Sequence, residues 1–435
     1  MHPRVLIIAT TPYSENYSSR SLDAYFHYWE KDNVAQIFTR NIIPTKGHCG
    51  ELFQISDAKL LKRWMHKNVE TGRLYLYDEL CESGANQVID DNAMQRIGTK
   101  HTPTIEILRR ILWRKKFWCT TLLNEWLDKF QPECIFYNFS NHIFTQQIVL
   151  FIAEKYDIPI ITAIGDDFYF NDQNKVSPAY HLYRIIFKKL TRKILTRKNA
   201  SAVYVSDKIR EKYEQQFNLK GRTIYFNSTV PRKNFCPINT DKPVIAYFGN
   251  IRLGRNNSLL EFATALGKVN SAYTLEVYAG ESDPTYYEPL QKHPNIKYGG
   301  KIPYEDVRKK TKECDIVVVV EGFRDVDIAF TKYSLSTKAA DSLSCGSAIM
   351  VYGPEEAGIV DYFKRFDAAM VCTNPDYLEE SLFKLINDVT LQKEYYEKAK
   401  QVAKKNHTVQ SSTRRFEDLL LSVVECNKNE KLQEV

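Results

Sequence analysis

No stretch of this 435-residue chain approaches the roughly 20 consecutive apolar residues of a membrane-spanning helix, which argues against an integral helical membrane protein. The opening "MHPRVLIIAT" carries an apolar run too short for a signal-peptide core, and no cleavage site follows it. C-x-x-C pairs are also missing. The nine cysteines (Cys49, Cys81, Cys119, Cys134, Cys236, Cys314, Cys345, Cys372 and Cys426) are odd in number and scattered. A disulfide framework or a cysteine-built zinc site is therefore not expected, and a reducing, cytoplasmic setting is. Glycine is sparse at 17 residues, and there is neither a low-complexity tract nor a short internal repeat. What is there is ordinary for a globular protein, 43% hydrophobic and 26% charged residues, with abundant Tyr (27) and Phe (23). The length provides for two or three domains. The net charge of +7 is a mild basic excess, so its location matters more than its size. Without a recognition motif, that charge does not point to nucleic acid.

The apolar pattern alternates strand and helix. "RVLIIAT" (4–10) reads as a buried parallel strand, "SRSLDAYFHYW" as a helix and "VAQIFTR" (34–40) as a strand. Residues 41–100 give few signals. The stretch 104–130 is expected to be one long helix, followed by strands at 133–139 and 158–165, a basic helix at 179–198, and strands at 201–206 and 222–227. "STVPRKNFCPINTDKP" (228–243), with three prolines, breaks the pattern and reads as a linker. The alternation then restarts with strands at 244–250, 273–280 and 315–322 and ends in helix from about 390 to 425. This predicts an α/β protein with two doubly wound, Rossmann-like domains facing a cleft. The expected boundaries are 1–230, 231–410, and a C-terminal helix and tail over 411–435 that crosses back to the N-terminal domain.

Three stretches carry a resemblance. "NASAVYVSDKIREKYEQQFNLKGRTIYFNSTVPRKNFCP", "VIAYFGNIRLGRNNSLLEFA" and "LSTKAADSLSCGSAIMVYG" resemble, in order and spacing, motifs of the retaining, family-four-like GT-B glycosyltransferases, many of which build bacterial surface polysaccharides. The likeness runs through most of the chain and is weakest at 41–100. It implies a nucleotide-sugar site in the C-terminal domain and an acceptor site in the N-terminal one.

The residues themselves make chemical sense of this. Asn250, Arg252 and Arg255 lie in a loop after a strand and before a helix, where cationic side chains and free helix N–H groups make an anion site. The resemblance assigns that loop to the donor diphosphate, with Arg255 where the family has Lys. A solvated loop with surface arginines is the plainer reading. In "YSLSTKAADSLSCG" Ser336 is placed to cap a helix, with Thr337 and Lys338 following, and Gly346 to end it in the left-handed region. Lys338 and Asp341 are three apart and share a face, so a local ion pair is the alternative to donor contact. By resemblance Asp341 takes the place of the Glu that binds the donor ribose.

The chain departs from the family in two places. Tyr333 stands where the first Glu of the motif belongs, and Gly165 where a His is common. Glu321, directly after a strand, and Asp166, at a strand's carboxyl end, are the candidate catalytic carboxylates. Asp166 serves a turn or cap equally well. Although "GDDF" resembles a metal-binding pair, the fold holds diphosphate with basic groups, so neither a metal nor another cofactor is expected. Asn16, Ser19 and Arg20 follow the first strand and are candidates for acceptor contact, or for plain helix capping.

The run "HLYRIIFKKLTRKIL" (181–195) divides on a helical wheel into an apolar side with Leu182, Tyr183, Ile186, Phe187, Leu190 and Ile194, and a basic side with Arg184, Lys188, Lys189, Arg192 and Lys193. The apolar side is expected to pack on the sheet and the basic side to face solvent or an anionic membrane. The segment "RRILWRKKFW" extends that surface or packs. The expected protein is a metal-independent, retaining glycosyltransferase, cytoplasmic and peripheral on the inner face of the membrane, with a nucleotide sugar and a glycan or lipid-linked glycan as partners. A nucleotide-sugar epimerase of the same fold and an inactive scaffold at the membrane are the alternatives.

Overall fold

The computed structural model describes residues 2–14, 20–45, 47–66, 69–82, 102–172 and 177–433. The chain divides into two compact units, Met1–Ile224 with Thr413–Val435, and Tyr225–Ser412.

The first unit is built on eight strands: β1 (Val5–Ala9), β2 (Val34–Phe38), β3 (Glu51–Ile55), β4 (Gly72–Leu76), β5 (Cys134–Asn138), β6 (Ile160–Ile164), β7 (Ser201–Tyr204) and β8 (Gly221–Thr223). Their order is β4-β3-β2-β1-β5-β6-β7-β8. Every pairing is parallel except β3 with β4. All five residues of β1 are buried. A parallel sheet covered on both faces requires this, and it is why the strand reads as an unbroken apolar run. The strand expected at 222–227 ends at Thr223.

One stretch with few sequence signals proves structured here, and one sequence expectation fails, each for an identifiable reason. Residues 41–100 contain β3, β4 and the helices Asp57–Met65 and Tyr77–Glu82. Polar residues mask them. Gln54 is buried on β3 because its amide donates to the carbonyls of Arg40 and Ile42, both at 2.8 Å. The expected single helix over 104–130 is three: Pro103–Leu112, Lys115–Trp118 and Thr121–Phe130. Thr120 accepts a hydrogen bond from the Leu123 amide at 3.3 Å and so caps a new helix instead of continuing the old one.

The basic helix also differs from its wheel. In Pro178–Leu195, Arg184 is buried, donating to Asp172 at 2.6 Å and to the Phe168 and Tyr169 carbonyls. Lys188 also pairs with Asp172, and Lys193 with Glu154. Leu182, expected inside, is 49% exposed, and Ile185 is 66% exposed. Three of the five cations are therefore already paired, because Asp172 of the preceding loop and Glu154 of the neighbouring helix Ile143–Tyr156 reach the helix from outside it.

The second unit holds β9 (Ile245–Phe248), β10 (Leu275–Tyr278), β11 (Ile296–Tyr298), β12 (Ile316–Val320), β13 (Ala348–Tyr352) and β14 (Met370–Cys372). They form one parallel sheet in the order β11-β10-β9-β12-β13-β14. The chain winds outward from β9 in one direction, then returns to β12 and winds in the other. The strand order reverses between β9 and β12, and the crevice beyond their carboxyl ends is where such sheets bind ligands. The segment read as a linker packs on this unit. Arg232 donates to the Leu343 and Tyr396 carbonyls at 2.8 and 2.7 Å.

The last helix, Val409–Gln433, begins in the second unit and ends in the first. Its Phe416, Leu419, Leu420 and Val424 are buried in the first unit's core with Tyr25, Phe26 and Trp29. No described helix is long and apolar enough to cross a membrane.

Candidate functional site

The reversal point of the second sheet gathers charge into an apolar setting. β9 ends at Phe248, and Gly249 follows at φ +141°. A Cβ on Gly249 would sit 2.4 Å from Cε of Lys338, so the missing side chain is what admits the lysine. Lys338 enters from the helix Thr337–Cys345 and donates to the Tyr247 hydroxyl at 2.7 Å. Tyr247 is itself fully buried and donates to the Asn250 carbonyl at 2.5 Å. Burial, together with the nearby Arg255 charge, pushes the Lys338 pKa down to about 7, against the pull of Glu321.

Glu321 directly follows β12 and is 2% exposed. Its Oε2 accepts from Nε of Arg255 at 2.9 Å and pairs with the same guanidinium at 2.7 Å. Its backbone is fixed as well, the N–H donating to the Tyr352 carbonyl and the C=O accepting from Ser258. Arg255 opens the helix Arg255–Val269, whose N-cap is Gly254 at φ +70° with no capping side chain. A Cβ on Gly254 would lie 2.4 Å from Oδ2 of the buried Asp327, which Arg324 holds with two hydrogen bonds of 2.6 and 2.9 Å. Lys338 and Arg255, both half-buried, and the buried Glu321 thus form a cation–cation–anion cluster at a helix N-terminus, with one net positive charge when Lys338 is protonated.

The other donor candidates lie around this cluster. Asn250 accepts from the Arg252 amide at 2.6 Å, and Arg252 makes a two-bond pair with Glu281 at 2.6 and 2.9 Å. That pairing holds the Glu281 carboxyl down to about 2. Ser336 caps its helix by accepting from the Lys338 amide at 3.3 Å, with Thr337 as the first helical residue. Gly346 ends that helix at φ +85°. The ion pair weighed between Lys338 and Asp341 is not what forms among the described residues. Lys338 turns to Tyr247, and Asp341 accepts from the Ser228 hydroxyl at 2.6 Å.

In the first unit, Asp166 is exposed after β6, its carbonyl accepting from the Phe168 amide. Its neighbour Asp167 is tied to Tyr213, Phe170 and Lys212. Among the described residues no group of three or more His, Cys, Asp or Glu side chains could hold a metal ion. Asn16 and Ser19 lie outside the described residues, and Arg20 is described by its backbone alone, at the start of the helix Arg20–Phe26.

Two features were missed from the sequence. One is Tyr247, the partner of Lys338. The other is a cavity of about 380 Å³ beyond β10 and β11, bordered by Gly280, Glu281, Ser282, Tyr287, Tyr298 and Lys301. The Tyr287 and Tyr298 rings stack there at 5.9 Å. "YAGES" and "YGGKI", each a strand end running into glycine, were the available signals.

Comparison with known proteins bears on this geometry. Residues 257–418 match the family model described as Glycosyl transferase-like. No curated protein matches the chain. Among solved structures, Anabaena HepE in complex with UDP is similar at a TM-score of 0.58 and 10% identity, covering 96% of this chain and 100% of that one. Sucrose-phosphate synthase from Thermosynechococcus elongatus is similar at 0.58 and 10% identity, covering 97% and 99%. WaaG, a glycosyltransferase involved in lipopolysaccharide biosynthesis, is similar at 0.52 and 10% identity, covering 95% and 99%. The fold is that of the GT-B glycosyltransferases, with two Rossmann-like domains.

Proposed function

We propose that the chain transfers a sugar from a nucleoside diphosphate donor to a glycan or lipid-linked glycan acceptor, with retention at the anomeric carbon and without a metal. The observation that carries the reading is the partly buried Lys338–Arg255–Glu321 cluster at the β9/β12 reversal point. Held cations at a helix N-terminus suit the diphosphate, whose negative charge grows as the sugar leaves. The GT-B fold and the UDP found in the HepE structure support the donor class.

In this reading the second unit holds the donor and the first the acceptor. Arg255 and Lys338 take the diphosphate, and Arg252 and Asn250 line its approach. Asp341 takes the ribose, and the cavity at Tyr287 and Tyr298 takes the base. Glu321 is a positioning residue, because it is almost fully buried and its carboxylate holds the Arg255 guanidinium at 2.7 Å. The acceptor hydroxyl oxygen attacks the anomeric carbon on the face the diphosphate leaves, and the departing phosphate oxygen takes the hydroxyl proton. Asp166 and the segment with Asn16, Ser19 and Arg20 serve the acceptor. A place in surface polysaccharide synthesis, at the cytoplasmic face of an anionic membrane, belongs to the same reading.

The test is Arg255→Ala, scored for nucleotide-induced thermal shift and for turnover with a panel of nucleotide sugars on membrane lipid extracts. Turnover should fall roughly a hundredfold or more, about 3 kcal/mol of transition-state stabilisation. Full activity in the variant, or no shift of the wild type with any nucleotide, overturns the assignment.

A further inference from the structure

We propose that the first unit carries a docking site for an anionic phospholipid bilayer, formed by the cavity at Arg110, Arg114 and Lys115 and the exposed apolar side chains beside it. The inference deepens the membrane part of the reading above and rests on it, while moving the contact away from the basic face of Pro178–Leu195. Arg184, Lys188 and Lys193 of that face are already paired with Asp172 and Glu154.

The cavity holds about 450 Å³. Its floor is rigid and aromatic. Trp113 stacks on Phe144 at 4.2 Å, Trp118 meets the edge of Phe151 at 5.3 Å, and both tryptophans are almost fully buried. Arg110, Arg114 and Lys115 border it and are exposed. None of the three has a carboxylate partner among the described residues. Arg109, one position away, is paired with both Asp57 and Glu106. The local acid is thus spent on the buried arginine, and the three rim cations, Lys115 lying over the Phe151 ring at 4.1 Å, keep their charge uncompensated by a carboxylate and can meet a phosphate. Gln147 also lines the cavity, and its amide oxygen is buried with no hydrogen-bond partner among the described residues. It offers an acceptor for a headgroup hydroxyl. Phosphate and hydroxyl together describe a phosphatidylglycerol-type headgroup.

The apolar surround selects a bilayer over a soluble phosphate. Leu108 is 58% exposed and Ile111 47% exposed, one turn apart on the helix that supplies Arg110. The neighbouring, packed helix Pro178–Leu195 exposes Leu182 and Ile185. Cations next to exposed aliphatic side chains match a surface that is anionic at the headgroups and apolar just below. The same site fits nucleic acid poorly, since the tryptophans lie under the cations and present no open face for base stacking.

The experiment is co-sedimentation of the full chain with vesicles of phosphatidylcholine alone and of phosphatidylcholine with phosphatidylglycerol, without nucleotide. The wild type should pellet only with the anionic vesicles and be released by salt. Each basic residue at such a surface contributes roughly fivefold in partitioning, so Arg110→Ala, Arg114→Ala and Lys115→Ala combined should weaken it roughly a hundredfold. Ile111→Asp, at an exposed position, should weaken it with the thermal midpoint unchanged. Lys292→Ala with Lys297→Ala, two exposed lysines of the second unit, should have no effect. Wild type that ignores anionic vesicles, or a triple variant and Ile111→Asp that bind as wild type, overturns the proposal. So does complete release by millimolar glycerol phosphate at constant ionic strength, which would mark a soluble-phosphate site. Transfer onto a water-soluble acceptor, measured without vesicles, keeps failure of the catalytic reading separate from failure of docking.

Discussion

Replacing Lys338 with Met should stabilise the protein near neutral pH while abolishing nucleotide binding. The lysine is half-buried, with its ammonium held against the Tyr247 hydroxyl, and its pKa falls from 10.5 to about 7. A lowering of that size corresponds to roughly 5 kcal/mol by which the folded state disfavours the charged form. Below about pH 7 the side chain is protonated folded and unfolded, so the folded protein bears the full cost. Between there and about pH 10.5 the unfolded chain holds the extra proton, so stability rises with pH. By about pH 10 the remaining cost is about 1 kcal/mol. Met removes the charge and nearly preserves the volume. Tyr247 keeps its bond to the Asn250 carbonyl, so losing the Lys338 bond costs only about 1 kcal/mol. The variant should therefore exceed the wild type by about 3 to 4 kcal/mol at about pH 7, with the gap closing by about pH 10. All five tryptophans belong to the first unit, so their fluorescence does not report on this region. Hydrogen exchange at the β12 amides does. Equal pH dependence in both proteins, or a less stable variant at neutral pH, would refute the account of a desolvated lysine. In the wild type, a diphosphate held beside Lys338 should restore its proton. Calorimetry in two buffers at about pH 8.5 should then register uptake of about one proton, and Lys338→Met none.

Gly249→Ala should lower the thermal midpoint and remove the nucleotide-induced shift, because φ +141° and a Cβ 2.4 Å from the Lys338 side chain leave the lysine nowhere to lie. Gly165→Ala, whose nearest neighbour would be 3.8 Å away, serves as the unaffected comparison in the same thermal scan. Phe416→Ala should destabilise the first unit by about 3 to 5 kcal/mol in urea unfolding read by tryptophan fluorescence. Its ring lies 5.0 to 5.4 Å from those of Tyr25, Phe26 and Phe136. A loss below about 1 kcal/mol would mean the last helix is not part of that core.

The fold was legible wherever strands are buried on both faces, since β1, β12 and their neighbours leave runs such as "VLIIA" and "IVVVV". It was not legible at β3 and β4, where Gln54, Glu51 and Arg73 interrupt the pattern: Gln54 and Glu51 are held by hydrogen bonds with distant residues, and Arg73 is exposed over the Tyr75 ring. Trp126, for example, donates to Glu51 at 2.5 Å. The donor loop and the capped helix at Ser336 could be read because caps and loops are local. The direction of Lys338 could not. Its partner Tyr247 is 91 positions earlier, and the space it occupies exists only because Gly249 has no side chain. The basic helix misled for a similar reason. A wheel shows only a helix's own residues, and Asp172, outside it, decided which cations were free.

The last helix has a consequence for how the chain comes to be folded during synthesis. Most of the first unit is made first, yet Phe416, Leu419, Leu420 and Val424 of its core are made only after the whole second unit. Until they emerge, the apolar face of Tyr25, Phe26 and Trp29 lacks its cover, while Tyr225–Ser412 has already left the ribosome and can close on itself. The order of maturation is then the reverse of the order of translation. In the interval between, the nascent protein exposes apolar surface of the kind that chaperones cover.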